Sequence, residues 1–235
     1  MEERNERGET LKEFLARYDL DTAMKRELEE ETNLFDSTYF RQLYTFGNAD
    51  RDPRTRVITT VYLSMTPAEN IKMTSAGDDA MDTGWFTIQK IATTTDGHER
   101  KSVLMLDEEE KGIHLRYEIY DTACDNYVQT RSKLLDSSNA KLAADHIKAI
   151  NMAIDVVRNR AASTGIMFNL LPKECTLREI QEVYEAIVNH PVDTGNFRRD
   201  IKKMLVATGN TTIVNGRKVA TYSFNPLLPF VKETL

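Results

Sequence analysis

The sequence predicts an α+β protein with two distinct parts, and three observations support this fold class. Segments rich in Tyr, Phe, Val, Ile and Thr predict β-strands within the front part. Apolar residues that recur every three or four positions behind capping residues predict helices. Near the C-terminus an Asn-Gly pair between two short strand-like segments predicts a β-hairpin. We therefore expect a sheet-containing front part, followed by helices and a closing hairpin.

Charge is distributed unevenly along the 235 residues, whose net charge is −6. Residues 141–235 contain 13 Lys and Arg against 9 Asp and Glu, which gives +4 and leaves −10 for residues 1–140. This difference suggests separate roles for the two parts, with an anionic partner for the basic one. Cys124 and Cys175 form neither a disulfide framework nor a metal-binding spacing. With no long apolar run and no secretory signal, we expect a cytoplasmic protein without a membrane contact.

The front part is predicted to contain two helices, two strands and a hairpin. Thr10 and Glu13 have the spacing of a capping box at the start of a helix over 10–18. An acidic helix is predicted at 21–32. The strands are expected at 39–46 and 56–65, and the hairpin at 102–106 and 113–120.

The back part is predicted to contain three helices and a second hairpin. The first helix, over about 140–160, has an apolar stripe formed by Ala143, Ile147, Ile150, Ile154 and Val157. Thr176 and Glu179 form a capping box for the second helix, and the third starts near Gly195. Strands at 211–214 and 218–224 then follow, joined at Asn215-Gly216.

Three carboxylates lie on one face of the acidic helix. Glu27, Glu30 and Glu31 stand at positions i, i+3 and i+4, which share a face in an α-helix. Adjacent anions repel one another unless a positive charge lies among them, and Mg²⁺ suits clustered carboxylate oxygens. The alternative is a solvated acidic face with Lys25 and Arg26 as partners. The residues alone leave both interpretations open.

These residues also resemble the second half of the Nudix motif, G-x5-E-x7-R-E-U-x-E-E-x-G-U. Asn33 stands where the family has Gly, and both residues tolerate a left-handed helix cap. The first half of the motif does not match, because Tyr18 stands where the family has Glu and Lys12 where it has Gly. The resemblance implies a Mg²⁺ site and catalytic roles for four residues. Glu27, Glu30 and Glu31 would hold the metal, and Arg26 would orient the glutamates.

Relative to that family, the chain looks internally shortened. Gly8 to Asp19 is similar to an N-terminal extension of some Nudix proteins, in which several strands separate it from the acidic helix. Here Asp19 runs almost directly into that helix. The resemblance therefore implies an incomplete version of the α/β/α Nudix-type mixed sheet, without some core strands and the front of the catalytic loop.

Further segments of the front part are similar to Nudix domains near the ADP-ribose hydrolases. They are Gln42–Gly47, Asp50–Arg54, Arg56–Leu63, Ala76–Ala80 and Trp85-Phe86. The resemblance implies that Arg51 and Arg54 lie near a bound nucleotide, with Asp78 and Asp79 in a loop close to it. Without the resemblance, the arginines simply decorate a turn-rich hairpin loop.

The C-terminal part resembles a winged-helix domain of Nudix-related transcriptional regulators. This resemblance rests on three segments, Phe168–Pro172, Thr176–Ala186 and Asn196–Arg199. Four basic residues fall on the side of the third helix opposite its apolar residues, and two more lie at the hairpin tip. These candidate DNA-binding residues are Arg198, Arg199, Lys202, Lys203, Arg217 and Lys218. A basic helix face and hairpin tip suit DNA phosphates, although a merely solvated face is the alternative.

Three functional hypotheses follow from this organisation. We divide the chain into an N-terminal helical extension at 1–19, a truncated Nudix-like domain at 20–139, and a linker helix with a winged-helix domain at 140–235. The leading hypothesis is a homodimeric regulator that senses ADP-ribose or a related nucleotide and binds DNA. The alternatives are a Mg²⁺-dependent Nudix hydrolase of ADP-ribose or another nucleoside diphosphate derivative, and a damaged chain in which only the C-terminal domain works.

Overall fold

The structure is a computed structural model that describes residues 19–32, 39–48, 55–73, 84–143 and 145–225. For residues 31–32 and 71–73 it describes the backbone alone. The helices are α1 (Leu20–Thr32), α2 (His146–Ala161), α3 (Leu177–Val188) and α4 (Thr194–Ile201). The strands are β1 (Tyr39–Phe46), β2 (Thr59–Met65), β3 (Thr87–Asp96), β4 (Glu99–Glu108), β5 (Ile113–Cys124), β6 (Tyr127–Leu134), β7 (Leu205–Val214) and β8 (Arg217–Phe224). Short 3-10 helices cover Ala68–Met73, Gly165–Leu170 and Lys202–Met204.

The described strands form three sheets, in the orders β1-β2, β3-β4-β5-β6 and β7-β8. The predicted α+β class is confirmed, and so is the order of two helices followed by a hairpin at the C-terminus. Every pairing among the described strands is antiparallel, whereas a mixed sheet would need a parallel pair. The helix predicted at 10–18 lies outside the described residues. None of the helices in the described ranges is both long and apolar enough to span a bilayer.

Helix α1 begins one residue before its predicted start because Asp19 caps it. Thr22 donates its backbone N–H to Asp19 Oδ1 at 2.7 Å and its hydroxyl to Oδ2 at 3.1 Å. The backbone hydrogen bond from Thr22 lowers the pKa of the Asp19 carboxyl. A carboxylate at this position satisfies N–H groups of the first turn that have no partner within the helix.

The first two strands form the hairpin-like pair that the sequence predicts. Tyr39 lies opposite Met65 and Phe46 opposite Thr59, with an irregularity in register after Gln42. Strand β2 begins at Thr59, three residues later than its predicted start.

The central sheet is a meander of four strands, of which the sequence predicts only the inner two. The predicted hairpin at 102–106 and 113–120 is the pair β4–β5, and both strands are longer than predicted. Strands β3 and β6 were not predicted. They are the edges of the sheet, and most of their residues are exposed, so neither shows the alternation of apolar and polar residues that marks a half-buried strand.

Helix α2 covers one face of this sheet and completes its core. Alternate residues of β4 and β5 are buried there, and Ile147, Ile150 and Ile154 of the predicted stripe pack against them. The buried residues of the sheet are Leu104, Leu106, Leu115, Tyr117 and Ile119. The boundary predicted at 139–140 therefore separates the sheet from the helix that covers it.

Helix α2 starts at His146 rather than near 140, because the preceding segment is bonded to the sheet. Leu142 donates its backbone N–H to the Tyr117 hydroxyl at 2.9 Å. Ser138 accepts from the Arg116 N–H at 2.8 Å and donates to the Arg116 carbonyl at 3.0 Å. These bonds to β5 replace the hydrogen bonds that a helical turn would make.

The C-terminal domain has its own core, and its two predicted local motifs are confirmed. Buried side chains from α3, α4, the two neighbouring 3-10 helices and the segment before α3 form this core: Met167, Leu171, Cys175, Ile180, Phe197, Ile201 and Met204. Thr176 and Glu179 form both bonds of the capping box at the start of α3. Asn215 and Gly216 have φ angles of 50° and 75°, as a tight primed turn between β7 and β8 requires.

Candidate nucleic-acid interface and acidic helix

Helix α4 presents its apolar side to the core and two arginines to solvent. Asp193 caps the helix by accepting the Asn196 N–H at 2.8 Å. Phe197 and Ile201 are buried, whereas Arg198 and Arg199 are exposed, as the helical period predicts. The helix therefore places both guanidinium groups on the surface of the domain.

The third helix was predicted to run further than it does. It ends at Ile201, and Lys202 and Lys203 lie in a 3-10 turn instead of the predicted α-helix. The turn ends because Leu205 adopts an extended conformation and begins β7, while the Asn225 N–H donates to the Met204 carbonyl at 2.8 Å. Both lysines remain exposed, so the basic surface continues past the end of α4.

The turn between α3 and α4 is fixed by side-chain hydrogen bonds. The Val192 N–H donates to Glu185 Oε1 at 2.9 Å, and Gln181 donates to the same oxygen at 3.0 Å. The backbone bond from Val192 lowers the pKa of Glu185. The rings of Tyr184 and Phe197 then join the two helices, with centroids 5.2 Å apart. These contacts set the direction in which α4 leaves the turn.

The β7–β8 hairpin projects two further basic residues. Arg217 and Lys218 follow the Asn215-Gly216 turn and are exposed, as predicted. Ile213, opposite Lys218, is 72% exposed. Sequence reasoning missed this residue, because an isoleucine in a strand signals burial and only the hairpin geometry shows that it faces solvent.

A carboxylate braces the base of this hairpin. The strand β7 bulges between Ala207 and Thr211. Asn210, within the bulge, donates through its amide to both Glu174 oxygens at 3.1 and 3.0 Å, and the Thr221 hydroxyl of β8 donates to the same carboxylate at 3.3 Å. The two strands are thus tied to the loop that precedes α3.

The candidate interface combines the exposed basic residues of α4, the 3-10 turn and the hairpin tip. Within the described residues, only Arg199 of these six has a carboxylate within ion-pair distance, Asp200 at 3.4 Å, and both side chains are exposed. An exposed pair of this kind contributes little energy and is easily exchanged for another anion. The surface is therefore chemically suited to phosphate groups.

The acidic helix shows a different arrangement from the basic surface. Arg26 forms ion pairs with both Glu27 and Glu30, the second at 3.7 Å, and all three side chains are about half exposed. The Glu31 side chain lies outside the described part. In the part of the chain that the structure describes, no three His, Cys, Asp or Glu side chains are grouped to hold a metal ion. Arg26 thus serves Glu27 and Glu30 as the partner that the solvated-face alternative requires.

The predicted nucleotide-binding residues Arg51, Arg54, Asp78 and Asp79 lie outside the described residues. Beside them, the described Arg56 donates to the Gly47 carbonyl at 3.4 Å, across the loop that joins β1 and β2.

Sequence reasoning also missed Tyr62, which lies on β2 close to the start of α1. Its hydroxyl is buried without a hydrogen-bond partner among the described residues. Burial raises the pKa of Tyr62, and the nearby charges of Asp21 and Asp19 raise it further. A lone Tyr in a strand gives no local signal of such a position.

Comparisons with known proteins agree with this architecture. Residues 167–224 match the family described as the NrtR DNA-binding winged helix domain. The chain is 24% identical over 201 residues to the ADPR responsive transcriptional repressor NtrR of Acinetobacter baylyi, and the match covers 85% of this chain. The chain spans 61% of the length of that relative.

Two solved structures share the fold. A MutT/nudix family protein from Enterococcus faecalis has a TM-score of 0.60 at 22% identity, with 89% of this chain and 70% of that chain covered. NrtR of Shewanella oneidensis, complexed with a 27mer DNA, has a TM-score of 0.56 at 21% identity, with 89% and 74% covered. The resemblances drawn from the acidic helix and from Phe168–Pro172 are thereby confirmed. Residues 167–224 thus match an NrtR-type winged-helix domain, and the chain shares its fold with a MutT/nudix family structure and an NrtR structure.

Proposed function

We propose that this protein is a transcription regulator that binds DNA through its winged-helix domain and responds to ADP-ribose or a related nucleotide. The exposed basic surface within the NrtR-type domain is the observation that carries the DNA-binding part. The response to a nucleotide is supported by the match over most of the chain to a repressor described as ADPR responsive.

The geometry of the basic surface supports binding to a duplex. Helix α4 has its N-terminal turn capped and its arginines exposed, the placement used by helices that enter the major groove. Arg217 and Lys218 at the hairpin tip provide a second group of positive charges for backbone phosphates. Contacts to phosphates position a protein on DNA, whereas contacts to bases determine which sequence it binds. We therefore assign sequence recognition to α4 and sequence-independent affinity to Arg217 and Lys218 at the hairpin tip.

The binding experiment uses the full chain and duplexes that the protein selects from a randomised library. Fluorescence anisotropy is measured between about 50 and 200 mM salt, where each phosphate contact contributes about one unit to the slope of log affinity against log salt. ADP-ribose is then added at fixed salt, with ADP and ribose 5-phosphate as controls. We expect a steep salt dependence and a change in affinity caused by ADP-ribose. A DNA affinity that changes neither with salt concentration nor with ADP-ribose would contradict the proposal.

A Nudix hydrolase remains a second prediction for the front domain, with Mg²⁺ held by Glu27, Glu30 and Glu31. We expect little turnover of ADP-ribose with Mg²⁺, because the first half of the Nudix motif is absent from the sequence. Product formation is measured by chromatography, with the double variant Glu30→Gln, Glu31→Gln as the control. Turnover that disappears in this variant would establish the hydrolase instead.

Homodimer formation and a cytoplasmic location also stay predictions. A two-fold symmetric dimer would double the phosphate contacts and match a DNA site with two half-sites. Analytical ultracentrifugation of the full chain, free and with DNA, measures the stoichiometry. A single copy on each duplex at saturation would refute the dimeric arrangement.

A further inference from the structure

Helix α2 lies between the front domain and the winged-helix domain. On one side it contacts β1 and β6, and on the other it contacts α3 and the 3-10 helix Gly165–Leu170. The helix is therefore one route by which a change in the front domain can reach the candidate DNA-binding surface.

An ion pair between the buried Lys90 and Asp155, whose side chain is 35% exposed, fixes α2 to the edge of the central sheet. Lys90 Nζ lies 2.7 Å from Asp155 Oδ1 and 2.9 Å from Oδ2, and its side chain is 4% exposed. Asp121 on β5 adds a second carboxylate at 3.9 Å, itself held by Arg100 at 3.0 Å. Such a pair holds its position because separating it would leave a buried charge without compensation.

Arg158 lies one turn beyond Asp155 and bonds in two directions. Its Nη1 donates to the Lys90 carbonyl at 3.0 Å, and its Nε donates to the Ile187 carbonyl at 2.8 Å. The first carbonyl belongs to strand β3 of the front sheet, and the second to helix α3 of the winged-helix domain. One planar guanidinium thus joins the two domains directly, and its donors are held in a fixed relative geometry.

The position of Ile187 gives this bond a particular consequence. Its carbonyl lies in the last turn of α3, where helix carbonyls have no partner within the helix and favour a cation. The chain then turns at Asn189, whose φ is 61°, and enters α4 five residues later. Arg158 therefore holds the segment that aims the DNA-binding helix.

The two bonds are compatible with only a narrow range of separations between β3 and α3. Hydrogen bonds of 2.8 and 3.0 Å are lost when the distance exceeds about 3.5 Å, so a relative shift of less than about one ångström breaks one of them. Arg158 therefore stabilises one relative position of β3 and α3 over others.

We propose that Arg158 is a positioning residue that couples the front domain to helix α4, so that nucleotide binding to the front domain alters DNA binding by the winged-helix domain. This inference rests on the proposed function and names the residue through which that regulation passes. Removal of its two bonds leaves each binding site intact and removes their mutual influence. Coupling of this type ordinarily changes affinity by about 5- to 150-fold.

The first test measures coupling as the ratio of DNA affinities with and without saturating ADP-ribose. Arg158→Met keeps the length and apolar contacts of the side chain but removes both donors, and Lys148→Met removes an exposed charge from the same helix as a control. We expect the ratio to fall below about 2 in Arg158→Met and to stay at the parental value in Lys148→Met. ADP-ribose affinity, measured calorimetrically, should be unchanged. A parental ratio in Arg158→Met would overturn the inference.

A second test does not depend on either ligand. Spin labels are placed on exposed positions of the two domains with Gln129→Cys on β6 and Asn196→Cys on α4, after Cys124→Ser. Cys175 stays in place, because burial raises the pKa of its thiol to about 11 and leaves little reactive thiolate. We expect Arg158→Met to broaden the distance distribution between the labels, measured by pulsed electron resonance. An unchanged distribution would refute the positioning role.

The two tests separate the inference from the proposed function. If the parental protein binds DNA without responding to ADP-ribose, the proposed regulator fails in the first test. The second test then still decides whether Arg158 positions α4. Circular dichroism melting of Arg158→Met confirms that the variant is folded before either measurement.

Discussion

The front sheet pairs its basic residues with carboxylates of neighbouring strands, whereas most basic residues of the candidate interface have no such partner among the described residues. On the sheet, basic residues face carboxylates on neighbouring strands: Lys101 bonds to Glu118 at 2.5 Å and Arg116 to Asp107 at 2.6 Å. On the candidate interface, no described carboxylate lies within ion-pair distance of five of the six basic residues. These five are Arg198, Lys202, Lys203, Arg217 and Lys218. This difference teaches that a charged surface is informative mainly when its charges lack partners within the chain. A surface with paired charges supports the fold, whereas a cluster of unpaired charges of one sign is free to bind an oppositely charged ligand.

The largest effect is expected from removing the unsatisfied charges. Together, four alanine substitutions should weaken DNA binding by at least about a hundredfold at physiological salt and flatten the salt slope by about four units. The substituted residues are Arg198, Arg199, Lys202 and Lys203. Among the single variants, Arg198→Ala and Arg199→Ala should weaken binding most, and Arg217→Ala should weaken binding to all sequences alike. Anisotropy titrations measure the affinity, with Arg178→Ala, an exposed ion-paired residue of the same domain, as the control. Parental affinity in the quadruple variant would remove the basis of the comparison.

A smaller effect is expected from breaking the ion pair that joins the buried Lys90 to Asp155 of α2. Asp155→Asn leaves Lys90 with Asp121 alone at 3.9 Å, and should lower the free energy of unfolding by about 2–4 kcal/mol. Chemical denaturation with far-UV circular dichroism measures this loss. The matched control is Glu182→Gln, which breaks an exposed pair with Arg178 and should cost less than about 1 kcal/mol. An equal loss in the free energy of unfolding for the two variants would show that the burial of Lys90 does not strengthen its ion pair.

Loss of the helix cap in the winged-helix domain should have an intermediate cost. The Thr176 hydroxyl accepts the Glu179 N–H at 3.2 Å, so Thr176→Ala should destabilise the domain by about 1 kcal/mol. Thr176→Ser keeps the hydroxyl and serves as the control. Thermal melts of both variants measure the loss of stability. An equal loss in Thr176→Ser, which keeps the hydroxyl, would assign the effect to the packing of the lost methyl group instead.

The smallest effect concerns pH and the satisfied charges of the sheet. The hydrogen bond from Lys101 lowers the pKa of Glu118 below its usual value of 4.5. A lowered pKa means that the stabilisation is complete above the unfolded-state value and is lost as pH falls through the folded-state value. Melting temperatures of the parent and Glu118→Gln should therefore differ slightly at pH 7 and converge as the pH falls below about 4. A difference that persists in acid would exclude the ionised carboxylate as its source.

Local motifs could be predicted from the sequence because their energy depends on nearby residues. Thr176 and Glu179 are three positions apart, and Asn215-Gly216 needs only its own backbone angles. The basic face of α4 follows from the helical period in the same way. Strand β3 could not be predicted, because its place in the sheet depends on pairing with β4 and it has little apolar alternation of its own.

The features that could not be predicted depend on contacts between residues far apart in the sequence. The bonds that join Lys90 to Asp155 and to Arg158 connect residues 65 and 68 positions apart, with no periodic pattern to mark them. The start of α2 depends likewise on the Tyr117 hydroxyl, which comes from a different element. The internal shortening of the front domain and its nucleotide contacts stay predictions, since the residues concerned lie outside the described part.

The backbone bonds that anchor strand β8 to the body of the C-terminal domain set how far the hairpin tip of the candidate interface reaches. Strand β8 is tied to the body of the domain at Tyr222, which exchanges backbone hydrogen bonds of 3.0 and 2.8 Å with Cys175. From there to Arg217 the strand extends about 17 Å, at about 3.3 Å for each residue. This lever exceeds the width of a major groove, which is about 12 Å. If α4 lies in one major groove, a hairpin tip with this reach would contact phosphates beyond the edge of that groove. We therefore expect nuclease protection to extend beyond the bases that α4 contacts.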